Sequence, residues 1–186
     1  MNTVSGFDGF AAEPGAYGLI LETEVAVMAP GGVRLRPGLY LYGGSAHGPG
    51  GLRARIRRHA KADKPCHWHI DRLTGAGRLV AAFAIRDGQE CAVVAAAAAV
   101  AGATFPAPGF GSSDCRNCVG HLVRLPAGSK GYQSFVTQLI GNLCSAEDES
   151  PNRLERFSSS SSAGSSKVLD NPCRISRTGA SSSAAE

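Results

Sequence analysis

The chain lacks any run of about 20 strongly apolar residues, the length a helix needs to cross a bilayer. The nearest is AVVAAAAAV at 92–100, which is short and mostly alanine. A membrane partner is therefore not expected. The N-terminus, MNTVSGFDGFAAEPG, has no basic stretch followed by an apolar one. No signal peptide is read there, and the expected location is intracellular, cytoplasmic or nuclear. Without an export signal, the six cysteines (Cys66, Cys91, Cys115, Cys118, Cys144 and Cys173) read as free thiols or metal ligands before they read as a disulfide framework. Internal repeats are missing. Net charge is also small: +4 over 186 residues, which by itself names no partner.

Its distribution says more. Between Arg34 and Arg72 stand nine lysines and arginines against two acids, Asp63 and Asp71. A local basic face of this kind attracts phosphate backbones, although basic runs are more often only the solvated side of a helix.

The apolar pattern predicts a small α/β domain over 15–145: a central, mainly antiparallel sheet of three to four strands flanked by helices. Strands are expected at 16–21, which 25–29 either continues or follows as a short second strand, and at 38–44, 79–85 and 121–125, with 38–44 read from the alternation of Leu39 and Leu41 with Tyr40 and Tyr42. The Pro/Gly stretch 29–32 marks a turn between antiparallel partners. Helices are expected at 50–62, with Leu52, Ile56 and Ala60 on the buried side, at 87–103, which is rich in alanine, and at 132–143, with Phe135, Leu139 and Leu143 in register. Asp87 is a candidate N-cap for the second helix, with Glu90 three residues on as in a capping box. Residues 1–14 read as a loose, flexible arm. Residues 146–186 hold twelve serines and one aromatic. Such a segment offers too little apolar surface to offset its ordering entropy, so a disordered tail is expected.

Four pieces then line up. GAY at 15–17 and YGGS at 42–45 fall on strands, RIRRH at 55–59 falls on the helix after them, and Glu90 opens a later helix. This set resembles the GIY-YIG nuclease superfamily, whose pattern is G-x-Y, Y-x-G, R-x-x-x-H and a metal-binding Glu. The strings GSAHGPGGLRARIRRH, KPCHWHIDRL and GFGSSDC are similar to the stand-alone Uri-type endonucleases in particular, over about residues 14–126. Ala16 and Gly43 stand where bulkier residues are usual, and Gly43 is expected to loosen the strand end that holds Tyr42.

The resemblance implies a metal-dependent endonuclease acting on DNA, with RNA left open. Its site would comprise Tyr17, Tyr42, Arg55, His59 and Glu90. The residue types suit phosphodiester hydrolysis, which needs an activated water and neutralised phosphoryl oxygens. Arg55 offers a planar fork of donors, and Glu90 is the ligand for Mg²⁺ (or Mn²⁺), a hard ion that takes one or two carboxylates. By resemblance Tyr17 is the general base, supported by Tyr42 and His59. A phenol is a poor base at neutral pH, so a nearby cation such as Arg55 is expected to lower its pKa. Glycines 43, 44, 50 and 51 would let a phosphate approach the helix start. Arg53, Arg57, Arg58, Lys61, Lys64, His67 and His69 would contact nucleic acid. The alternative is a nucleic-acid-binding module of the same fold without catalysis, possible also as a zinc-stabilised one.

Two clusters remain. In CHWHID (66–71), His67, His69 and Asp71 would share a face only on a strand. Trp68 reads as core, and Asp71 as bonded to backbone or to a neighbouring arginine. In DCRNCVGH (114–121), Cys115, Cys118 and His121 have the spacing of a zinc half-site. Cys91 or the 66–69 cluster would complete a Zn²⁺ tetrahedron, while buried thiols without a metal explain the same residues. No thioredoxin-like context surrounds the C-x-x-C pair.

Overall fold

The computed structural model describes residues 9–126, 132–146 and 154–158. The α/β architecture expected from the sequence is the one observed. β1 (Gly15–Thr23) is the centre of an antiparallel sheet. β4 (Gly38–Ser45) pairs along one side of it and β5 (Arg78–Arg86) along the other. β6 (Leu122–Arg124) extends the sheet beyond β4. Between β1 and β4 the chain makes a two-stranded ribbon, β2 (Val27–Met28) with β3 (Arg34–Leu35), around the Pro/Gly turn.

Period-two alternation divides β1 between two apolar layers. Tyr17, Leu19 and Leu21 face α1 (Gly51–Ala60) and α2 (Asp71–Ala76), where Leu52, Ile56 and Leu73 close the layer. Ala16 and Ile20 face α3 (Glu90–Ala98) and α4 (Tyr132–Ala146), where Val93, Val94, Phe135, Leu139 and Leu143 pack. Asn142 ties α4 to α3 by donating from Nδ2 to the Ala96 carbonyl at 3.0 Å.

Several expectations need correction. Residues 9–14 of the arm are anchored: Phe10 is 1% exposed, and the carbonyls of Glu13 and Ala11 accept from the N–H groups of Leu52 and Arg53 at 2.9 and 3.0 Å. The first turn of α1 is thus capped by the chain's own backbone, not held open for a phosphate. The remainder of the arm, 1–8, lies outside the described residues. α3 is shorter than the alanine-rich run, and its N-cap is Gln89 with no side-chain cap. Asp87 instead occupies a left-handed turn at φ 52°, so the expected capping box does not form. α2 was not foreseen. A fifth strand, β7 (Leu154–Ser158), pairs antiparallel with the outer edge of β5 inside the stretch expected to be a tail. Edge pairing uses main-chain groups, so it does not need the apolar composition that the segment lacks. The rest of the tail beyond 146 lies outside the described residues. Cys66, expected as a thiol or ligand, is disulfide-bonded.

Two glycines of β4 set how closely the layers meet. A Cβ on Gly44 would lie 2.3 Å from the Tyr17 ring, its cross-strand partner. A Cβ on Gly43 would lie 2.7 Å from the Val94 side chain and 3.1 Å from the Glu90 carbonyl. Gly43 therefore does not merely loosen a strand end. It lets the first turn of α3 settle directly on β4. Replacing either glycine by alanine is expected to cost about 1–3 kcal/mol, the range for overpacking a close-packed interior. Thermal unfolding followed by circular dichroism checks this as a lowered Tm for both variants.

Candidate active site

β1 and β4 bring the two tyrosines to one side of the sheet. Tyr17 pairs with Gly44, and Tyr42 pairs with Leu19, two residues along on the same face as Tyr17. Because Gly44 has no side chain, the Tyr17 ring lies over it and its hydroxyl reaches the sheet end. Arg55 comes from the middle of α1 and Glu90 from the first residue of α3. Tyr17, Tyr42, Arg55 and Glu90 line a single cavity of about 400 Å³. The sequence placed these four residues on four separate elements, and the fold brings them to one hollow.

His59 stands behind the wall. It is 2% exposed, and its Nε2 lies 2.9 Å from the Tyr17 hydroxyl. Burial, with Lys64 second, depresses its pKa to about 3, so the ring is neutral at physiological pH. Its Nδ1 has no hydrogen-bond partner and sits 3.9 Å from Oδ1 of Asp71. A negative carboxylate at that range favours the proton on Nδ1. Nε2 then accepts from the Tyr17 O–H, which leaves the phenolic lone pairs for the cavity.

Burial also raises the Tyr17 phenol well above its ordinary pKa, and Tyr42 adds to the rise. Arg55 and Arg58 pull it down without reversing it. The expected depression by a neighbouring cation is therefore outweighed by desolvation. Tyr42 is pushed up to about 12, first by burial and then by Glu90 and Asp71, with Arg55 opposing.

The basic residues of α1 divide in a way that spacing did not show. Arg58 donates from both terminal nitrogens to Asp71, at 2.9 and 2.8 Å, and to the Pro65 carbonyl at 3.1 Å. Lys64 is buried, donating to the carbonyls of His59 at 2.8 Å and Lys61 at 3.1 Å. Arg53 spends its Nε–H on the Phe10 carbonyl at 3.0 Å. Arg58 and Lys64 thus hold the scaffold, contrary to the expectation that they grip phosphates, and Arg53 is tied to the N-terminal segment. Arg57 and Lys61 are exposed away from the cavity lining. His67 and His69 do line the cavity, and Nδ1 of His69 accepts from the Gly111 N–H at 3.3 Å.

Asp71 is the centre that sequence reasoning gave only a supporting part. It is fully buried at the start of α2, where Oδ2 also accepts from the backbone N–H groups of His67 and Trp68, each at 2.9 Å. Burial alone would raise its pKa. The Arg58 hydrogen bonds and the two amides outweigh that and hold it at about 2. His67, His69 and Asp71 do not share a strand face, because α2 begins at Asp71 and turns its carboxylate inward. Trp68 is half-buried at the rim, not sealed in the core. The Arg55 and Arg58 guanidinium carbons lie 4.6 and 4.0 Å from its ring centroid.

The far wall comes from the loop before β6. Gly111, Ser113 and Asp114 line the cavity there. They belong to the string GFGSSDC, but no periodicity or spacing assigned them a place. Gly111 is left-handed (φ 69°), and a Cβ on it would meet the Tyr42 ring at 2.7 Å. Beside this wall lie Cys91, Cys115, Cys118 and His121. One ligand atom from each falls within 4.8 Å of all the others, so this cluster can hold a metal ion. The backbone N–H of Asn117 and then the His121 side chain lower the Cys115 thiol to about 6. Glu90 and Asp114 also line the cavity.

The match of a family model to residues 16–143 defines the class: the chain belongs to the family described as domain of unknown function DUF123. No curated protein and no solved structure matches the chain. Among the described residues no helix is long and apolar enough to cross a membrane.

The buried pair predicts an acid-sensitive fold. His59 is held below its ordinary 6.5, so protonation favours the unfolded chain. Its contribution is complete above about pH 6.5 and is lost as pH falls toward 3. Asp71 is held below 3.8, so its contribution is complete above that value and is lost toward pH 2. Tm measured against pH should fall through this whole window, and His59→Gln should flatten the part between about 6.5 and 4. Asp71→Asn should cost about 3 kcal/mol at neutral pH by leaving the Arg58 charge uncompensated, measurable by urea unfolding.

Proposed function

We propose that the protein is a metal-dependent endonuclease of the GIY-YIG type, hydrolysing phosphodiester bonds in DNA. The observation that carries this reading is the convergence of Tyr17, Tyr42, Arg55 and Glu90 on one cavity, with His59 bonded to Tyr17 from behind. A cavity of about 400 Å³ accommodates a phosphate with its flanking sugar oxygens. Order of motifs along a chain is a pattern; four side chains from β1, β4, α1 and α3 meeting at one hollow is a constellation with chemical content.

Arg55 binds the non-bridging phosphate oxygens. Its guanidinium carbon lies 4.6 Å from the Trp68 ring centroid, a cation–π contact that restricts the side chain before a phosphate arrives. The Tyr17 oxygen orients the attacking water, and as that water loses a proton to Tyr17, the phenol's own proton passes to Nε2 of His59. Asp71 opposes the charge that then forms on the imidazole. Tyr42 holds the water from the second side. Glu90 would hold the divalent cation, with Asp114 the second carboxylate at hand. Bound there, such an ion supplies charge neutralisation at the phosphate and a more acidic water. Of the basic residues, Arg55 serves the reacting phosphate, while His67 and His69 at the rim meet its neighbours.

The raised pKa of Tyr17 favours a second reading, a nucleic-acid-binding module without turnover, because a phenol this reluctant to ionise is a weak base unless assisted. One experiment separates the two. Supercoiled plasmid and duplex, flapped and forked oligonucleotides are incubated with the protein with and without Mg²⁺ or Mn²⁺. The nuclease reading expects metal-dependent nicking that falls by about 10²-fold or more in Arg55→Ala and Glu90→Gln. Salt-dependent binding without product supports the module. Cleavage undiminished in both variants removes the assigned site.

A further inference from the structure

We propose that Cys91, Cys115, Cys118 and His121 form a zinc site that staples the far wall of the cavity to the start of α3. The inference does not depend on the nuclease reading. The four residues come from two separate pieces of chain. Cys91 is the second residue of α3, and the other three lie between Ser113 and β6. Their ligand atoms gather within 4.8 Å of one another, with Cys91 and Cys115 sulfurs 3.5 Å apart. Zinc–sulfur bonds of about 2.3 Å in a tetrahedron put sulfurs roughly 3.8 Å apart, so ångström-scale side-chain adjustments suffice to close the cluster around the ion. The Cys118 backbone N–H points at the Cys115 sulfur at 3.3 Å, the arrangement that supports a metal-bound thiolate in a C-x-x-C turn. His121 is 4% exposed, and its ring carries a buried nitrogen, Nε2, with no hydrogen-bond partner. All three cysteines are free thiols. Three sulfurs and one imidazole complete a four-coordinate shell, and a closed shell of that kind is structural, leaving no open position for a substrate.

Such a staple would hold an irregular segment. Residues 99–121 contain neither helix nor strand. An irregular segment of that length in a compact domain usually has its own anchor. Phe110 and Ala107 supply part of it, but Val119 beside the ligands is 55% exposed. The ligands are also neighbours of the cavity: Cys91 follows Glu90 directly, and Cys115 and His121 line the hollow itself. Ion binding at this point fixes the spacing between the Glu90 side and the Ser113–Asp114 side.

The test reads metal, not cleavage. Full-length protein is purified under reducing conditions without a polyhistidine tag, and its zinc is measured by mass spectrometry against protein concentration. About one zinc per chain is expected, retained in Glu90→Gln and lost in Cys115→Ser and Cys91→Ser. Replacement by cobalt should give the visible bands of a tetrahedral cobalt–thiolate centre, and a chelator should lower the Tm of the wild type by several degrees. Should the serine variants fail to fold, the zinc ratio and cobalt spectrum of the wild type decide alone. Wild-type protein that carries no stoichiometric zinc and takes up none on titration overturns the proposal, as does a Cys91–Cys115 disulfide found in protein never exposed to oxidant. A failed cleavage assay leaves all these readouts unchanged.

Discussion

One buried carboxylate organises the cavity side of the molecule. Asp71 lies at 0% exposure and accepts two hydrogen bonds from Arg58 and two from the amides of His67 and Trp68. An uncompensated charge in that position would cost several kcal/mol, so the surrounding groups are obliged to stay. The obligation runs outward in three directions. Arg58 fastens α1 to the start of α2. The two amides shape the turn that presents His67, Trp68 and His69 to the rim. The remaining field, across 3.9 Å, sets the tautomer of His59 and through it the direction of the Tyr17 hydroxyl.

The opposite constraint is an absence of atoms. Gly44 and Gly43 are consecutive on β4 and point to opposite faces of the sheet. The first admits the Tyr17 ring, and the second admits the first turn of α3. Two neighbouring positions thus regulate the approach of the Tyr17 phenol from one layer and of the Glu90 helix from the other. The close approach has a steric origin, since a Cβ at either place would overlap its neighbour. Between these glycines and the Asp71 knot, the cavity is bounded by parts of the chain that have few alternative positions.

The sequence was legible where periodicity carries the structure. The alternation along 38–44 and the 3.6-residue spacing in 51–60 and 132–143 located β4, α1 and α4, because burial of one face is what those patterns encode. The order of Tyr17, Tyr42, Arg55 and Glu90 was legible too, and the C-x-x-C-x-x-H spacing pointed to the cysteine cluster. What was hidden depends on partners far apart in sequence. Arg58 and Arg55 look alike on a helix, yet one is sequestered by Asp71 and the other faces the hollow. The capping box at 87–90 failed because Asp87 was needed for a left-handed turn ending β5. β7 was invisible to composition because an edge strand recruits its partner through the backbone. The net effect on the Tyr17 phenol could not be read at all, since it is a contest between burial and two arginines whose depths only the fold determines.

Trp68 is the chain's single tryptophan. It sits at the cavity rim beside two guanidinium groups, with the His59 ring 5.3 Å away. Its indole emission therefore comes from one known place, next to the groups whose charge and position matter most. Anything that draws Arg55 off that ring, or that protonates the imidazole, changes the quenching of the one indole. The fold has in effect a reporter already installed at the mouth of its cavity, readable without a label.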